Sequence, residues 1–206
     1  MFKLKKLFFY PSSLVLILVN MIPLWGVIWR EWDIFAIMIL YWLESAVVGF
    51  FNILKMEKIS NYKFTPLVPF FIVHYCIFMF VHLFFILQFF QPDLASTTEQ
   101  VEAFKIVFKY LETLFISLSF IFFSHGWSFI FNFIKKEEFI GISLAKQMLA
   151  PYKRIIIMHL VIILAGLGVV YSGYEPTLSS LAFLVILKII FDLGAHIFEH
   201  RKNIFS

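Results

Sequence analysis

The chain has 206 residues, of which 62% are hydrophobic and only 15% charged, and 29 of them are phenylalanine. Soluble domains carry about a quarter charged residues, and one of this length would have to expose much of that phenylalanine, so a water-soluble fold is excluded. The net charge of +4 follows the breaks between apolar runs and marks no nucleic-acid partner, and the single cysteine, Cys76, excludes an intramolecular disulfide.

In chain order the apolar runs predict six membrane spans: Pro11 to Trp29, Ile34 to Met56, Pro66 to Phe90, Leu111 to Ile134, Tyr152 to Tyr171 and Leu178 to His200. Runs of about 20 residues match the hydrocarbon thickness. They are continuous rather than alternating, so helices, not barrel strands, satisfy their backbones. The first run follows Lys3, Lys5 and Lys6, as in a secretory signal, but the first alanine is Ala36 and no small-residue cleavage site precedes it. It reads as an anchor. Between the third and fourth spans, Ser96-x-x-Glu99 has the form of a capping box, followed by apolar residues at helical spacing. A short amphipathic helix is expected there, running into the fourth span. A second interfacial helix is expected over Phe139 to Met148. The fold class is therefore all-α, one six-helix transmembrane domain over residues 1–206.

Lysine and arginine set the orientation. Thirteen of them lie at the N-terminus, in the second and fourth connections and in the tail; only Arg30, Lys105 and Lys109 lie in the odd-numbered connections. This predicts an inner (plasma) membrane protein with both termini cytoplasmic.

Ionisable groups inside a span cost about 2.5–3.5 kcal/mol each and so face a partner or a cavity. Measured from the nearest inner-side basic residue at about 1.5 Å per helical residue, His159 and His196 come out about 8 Å deep, and Asp192, His125, Glu44 and His74 about 14–16 Å. Lys188 falls near 20 Å and His200 at the interface, while His82, near 28 Å, falls in the outer half as an interfacial histidine. Glu44 and Lys188, at similar depth, are expected to pair. In the sixth span Lys188, Asp192, His196 and His200 recur at i+4. His196 and His200 form an HxxxH pair able to meet one metal from adjacent turns, with Asp192 placed to orient His196. In the fourth span Ser117, Ser124, His125, Ser128 and Asn132 share a face of about 100°. Serines there serve as packing residues between helices; a histidine asks for more.

Tyr41-Trp42-Leu43-Glu44, with Gly49-Phe50-Phe51-Asn52-Ile53-Leu54-Lys55-Met56 after it, resembles the opening of an uncharacterised prokaryotic membrane family known only as a domain of unknown function. His74-Tyr75 with His82, Ser124-His125-Gly126-Trp127-Ser128-Phe129, Pro151-Tyr152-x-Arg154 with His159, and Lys188-x-x-x-Asp192-x-x-x-His196-x-x-Glu199-His200 are similar to its other marks. Cys76 stands where glycine would follow His-Tyr. The resemblance implies a multi-helix membrane protein and brings no activity. The terminal HxxxH with an aspartate is also similar to the zinc-dependent membrane hydrolases of the alkaline ceramidase and adiponectin-receptor type, but Ile121 occupies the serine position of their Ser-x-x-x-His element.

Three functions remain open. The first is an intramembrane metal site in the cytoplasmic half, with His125, His159 and His196 as ligands, His74 or His200 completing the shell, and Glu44 and Asp192 as acid/base or orienting groups. Zinc or another transition metal would support hydrolysis or redox chemistry there. The second is a proton- or ion-coupled transporter, and the third a non-catalytic protein whose polar groups only join helices. Membrane lipids, and a second copy of the chain, are the expected partners.

Overall fold

The computed structural model describes residues 23, 25–30, 32–91, 100–171 and 185–186, and of residues 100–104, 106 and 107 the backbone only. All regular structure among them is helical: α1 (Ile34–Ile59), α2 (Leu67–Phe90), α3 (Gln100–Trp127), continued by a π-helical segment (Ser128–Ile134), α4 (Leu144–Leu149) and α5 (Tyr152–Tyr171). Four stretches are long and apolar enough to cross a membrane: Ile34–Ile59, Leu67–Phe90, Phe108–Ile134 and Leu144–Tyr171. Of the expected first span only residues 23 and 25–29 are described, and of the sixth only 185–186; the Ser96-x-x-Glu99 box, Lys188, Asp192, His196, Glu199 and His200 lie outside the described residues.

The core gathers around α1, which among the described residues touches each of the other helices named. Its most apolar stretch is 78% buried within the bundle, against 17% for that of Phe108–Ile134. The exposed sides of α2, α3 and α5 carry large apolar residues such as Phe80, Phe123 and Leu167. That is the inverse of a soluble fold and is what hydrocarbon solvent permits.

Local chemistry sets the ends. Asp33 caps α1 by accepting the Ala36 amide at 2.7 Å. Its other carboxylate oxygen accepts the Tyr110 hydroxyl at 2.6 Å, fixing α3 beside the start of α1. Pro66 precedes α2 and Pro69 lies in its first turn, where proline removes no helical hydrogen bond. The short turn from α1 to α2 passes through Asn61 and Tyr62 at φ 55° and 58°.

Helix direction follows from who meets whom. Tyr75 reaches Ser45 and Trp42 reaches Met79, so α1 and α2 run antiparallel. Between α2 and α5, His74 meets Tyr152 and His82 meets His159 at separations of 78 and 77 residues. Phe89 covers Gly166 at the same offset. These two helices run parallel and in register.

Two expectations change. The fifth apolar stretch starts at Leu144 rather than Tyr152. Within it, the short helix expected at the interface over Phe139 to Met148 is instead Leu144–Leu149, packed against α1 and α2. The reason is Gln147: it is buried, and its amide donates to Asn52 Oδ1 at 2.7 Å. That bond draws the segment into the bundle, and Pro151 then starts α5 at a position helices accept.

Candidate functional site: a polar seam between α1, α2 and α5

The seam begins with Glu44. It sits on the buried face of α1, 6% exposed, and its carboxylate forms an ion pair with the Arg154 guanidinium of α5. Arg154 is a partner the depth scale did not suggest; Lys188, the partner it did suggest, lies outside the described residues. Around it, Ser45 Oγ donates to the Tyr41 carbonyl and lies 3.1 Å from Met158 Sδ. A cavity of about 10 Å³ opens beside the pair, with Tyr41, Ser45 and Arg154 on one side and Met38, Met158 and Ile162 on the other. It has room for about one water molecule.

Tyr75 spans the gap from α2 to α1, its hydroxyl donating to the Ser45 carbonyl at 2.8 Å. The approach is close because Gly49 has no side chain: a Cβ there would run into the Tyr75 ring. Trp42 Nε1 donates to the Met79 carbonyl at 2.7 Å on the same interface.

Along the α2/α5 contact, His74 Nδ1 and the Tyr152 hydroxyl are 2.6 Å apart. The His74 ring also stacks on Phe70 at 5.3 Å. Further along, His82 Nε2 lies 3.0 Å from His159 Nδ1. His82 is 1% exposed and far from an interfacial residue.

The depth scale explains why the sequence did not place His159 beside His82. Tyr152 meets His74, so Arg154 lies level with Cys76, about 14 Å into α2 from Leu67. Arg154 is held inside the bundle by Glu44 and does not mark the inner interface. A scale that starts at Arg154 therefore places His159 too shallow by that amount. Corrected, His159 joins the layer of His82.

His125 occupies a different place. It is half-buried on α3 and its ring stacks on Phe51 of α1 at 6.3 Å and 24°. The serine face below it continues into the π-helical segment. Its widened turn is seen in the Lys135 amide, which donates to the Ile130 carbonyl five residues back at 3.0 Å. Asn132 there bonds Ser128 and accepts from Lys136.

Of the residues expected to act together, His74, His125 and His159 are each engaged by a different neighbour: Tyr152, Phe51 and His82. Among the described residues no three His, Cys, Asp or Glu side chains gather as a metal site. Asp192, His196 and His200 lie outside the described residues. The members that sequence reasoning missed are His82, Arg154 as an interior cation, and Tyr75, Tyr152 and Gln147 as partners. One signal was present: apolar Met148, Leu149 and Ala150 continue the run backward past Arg154.

The model of DUF6498, a family of unknown function, matches residues 5–204. The chain belongs to this family. No curated protein and no solved structure matches it. Within this DUF6498 chain, the short segments that looked most distinctive in the sequence meet one another. Tyr41-Trp42-Leu43-Glu44 meets Pro151-Tyr152-x-Arg154 through the ion pair, His74 meets Tyr152, and Tyr75 meets Ser45, the residue after Glu44. His82 meets His159.

Proposed function

We propose that the protein is a six-span membrane protein of the inner membrane, with both termini cytoplasmic, that holds a transition metal within the bundle and uses it for hydrolytic or redox chemistry. One observation carries this reading. Residues Tyr152, Arg154 and His159 of α5 each meet a polar side chain of another helix, His74, Glu44 and His82, inside an otherwise apolar bundle. Ionisable groups at such depth are costly and mark working sites in membrane proteins. A buried ion pair is also no more stabilising than a well-packed apolar replacement.

Imidazole donors suit zinc, copper, nickel or iron. His159 is one candidate ligand; His196 and His200 of the sixth apolar stretch, with Asp192 as the group that orients them, form a separate candidate pair nearer the cytoplasmic face. His74 and His125, paired with Tyr152 and Phe51, are the weaker candidates. Glu44, held by Arg154, supplies a fixed carboxylate and serves as acid/base only if that pair opens. Bound metal would lower the pKa of a coordinated water or polarise a substrate carbonyl.

The test is metal analysis of protein purified through a tag without histidine. About one metal per chain is expected; less than about 0.2 per chain contradicts the reading.

The Glu44–Arg154 pair favours a second reading, ion-coupled transport, in which Glu44 exchanges Arg154 for a proton or cation. Proteoliposome flux that is unchanged by Glu44→Gln and Asp192→Asn contradicts that alternative.

A further inference from the structure

We infer that His82 and His159 are two ligands of one metal ion, held between α2 and α5. This rests on the metal-binding reading above and assigns its first two donors, one of which the sequence placed at the membrane surface.

The two helices run parallel and in register, which brings these imidazoles together at one level. His82 Nε2 and His159 Nδ1 face each other at 3.0 Å. Two nitrogens bound to one tetrahedral zinc at 2.0–2.1 Å stand about 3.3 Å apart. The observed spacing is within a few tenths of an ångström of that, so a metal enters between the rings with a small outward shift and no change of helix packing. The ring planes make an angle of 54°, with centroids 5.1 Å apart, so the rings are neither stacked nor sealed face to face.

Aromatic rings flank the pair. Phe78 lies against His82 and Phe85 against His159, with ring centroids 6.4 and 6.0 Å away. The lone pair of a neutral imidazole is what a metal takes. Nδ1 of His82, a nearly fully buried residue, has no partner among the described residues, and it stays the outer ring nitrogen whether Nε2 faces His159 or a metal. Among the described residues this is the one place where two imidazole nitrogens meet at hydrogen-bonding distance. Two protein donors leave further positions for water or substrate.

The experiment uses full-length protein in lipid nanodiscs, carrying no histidine tag, titrated with Zn²⁺ and with Co²⁺ as a spectroscopic probe. Expected are one tight site per chain in the wild type and at least tenfold weaker binding in both His82→Ala and His159→Ala. Cys76→Ser, at an exposed position of α2 outside the seam, should bind as the wild type does. If the alanine variants do not fold, His82→Asn and His159→Asn replace them, and Cu²⁺ electron paramagnetic resonance on the wild type counts coordinated imidazole nitrogens. Tight binding that survives both substitutions, or fewer than two imidazoles on copper, overturns the ligand assignment while leaving a metal protein. A wild type that takes up no metal overturns the metal-binding reading as well.

Discussion

Arg154, the third residue of α5, pairs with Glu44, the eleventh residue of α1, across the interior of the bundle. The pair sets the level at which α5 begins, and the Asn52–Gln147 bond carries α4 up to that level. Removing one partner leaves a buried charge without its counter-ion, which costs about 3–5 kcal/mol. Glu44→Leu or Arg154→Met alone should lower the thermal midpoint strongly in detergent. The double substitution should recover most of the loss, since matched apolar residues fill the same space. A double variant as unstable as the sum of the singles would show that the two residues act independently.

The Asn52–Gln147 pair predicts a coupling of its own. Both amides are buried, and removing one partner leaves the other unsatisfied, costing about 1–3 kcal/mol. Asn52→Ala and Gln147→Ala should each destabilise by that order, with the double variant well short of additive. A double-mutant cycle from chemical or thermal unfolding checks it.

Glycine substitutions should divide sharply. A Cβ at Gly49 meets the Tyr75 ring and one at Gly166 meets the Phe89 ring, whereas one at Gly168 meets nothing within 4 Å. Gly49→Val and Gly166→Val should each cost about 1–3 kcal/mol through overpacking. Gly168→Ala should be neutral or slightly stabilising, as alanine favours the helix. Equal effects at all three would contradict the packing described.

Cys76, the single cysteine, is exposed on α2 and level with Arg154. A spin label there reports the depth of the ion pair without further mutation. Accessibility to oxygen should be high and to a water-soluble nickel chelate low, as for a site well inside hydrocarbon. The reverse pattern would move the seam to the membrane surface.

Much of the architecture was legible because lipid imposes a simple rule on sequence. Long apolar runs gave α1 and α2 nearly to the residue, and the helix that holds the fourth span also takes in the amphipathic stretch before it. The site was less legible. Depth was read from basic residues on the assumption that each marks an interface, and Arg154 breaks that assumption because Glu44 holds it inside. One misplaced marker separated His159 from His82 and hid Arg154 as a partner of Glu44. Nothing local to either histidine encodes the register of α2 against α5; it comes from packing such as Phe89 over Gly166 and from the His74–Tyr152 contact. Gln147 was similarly hidden, since a lone glutamine in a connection looks solvated until Asn52 is placed beside it.

The account depends most on that register, and cysteine cross-linking in native membranes tests it directly. In a Cys76→Ser background, the pair His82→Cys with His159→Cys should link rapidly under mild oxidation. His74→Cys with His159→Cys, about 12 Å out of step along the helices, should not. Efficient linking of the second pair and none of the first would show that α2 and α5 are shifted by two turns, and the polar seam would come apart.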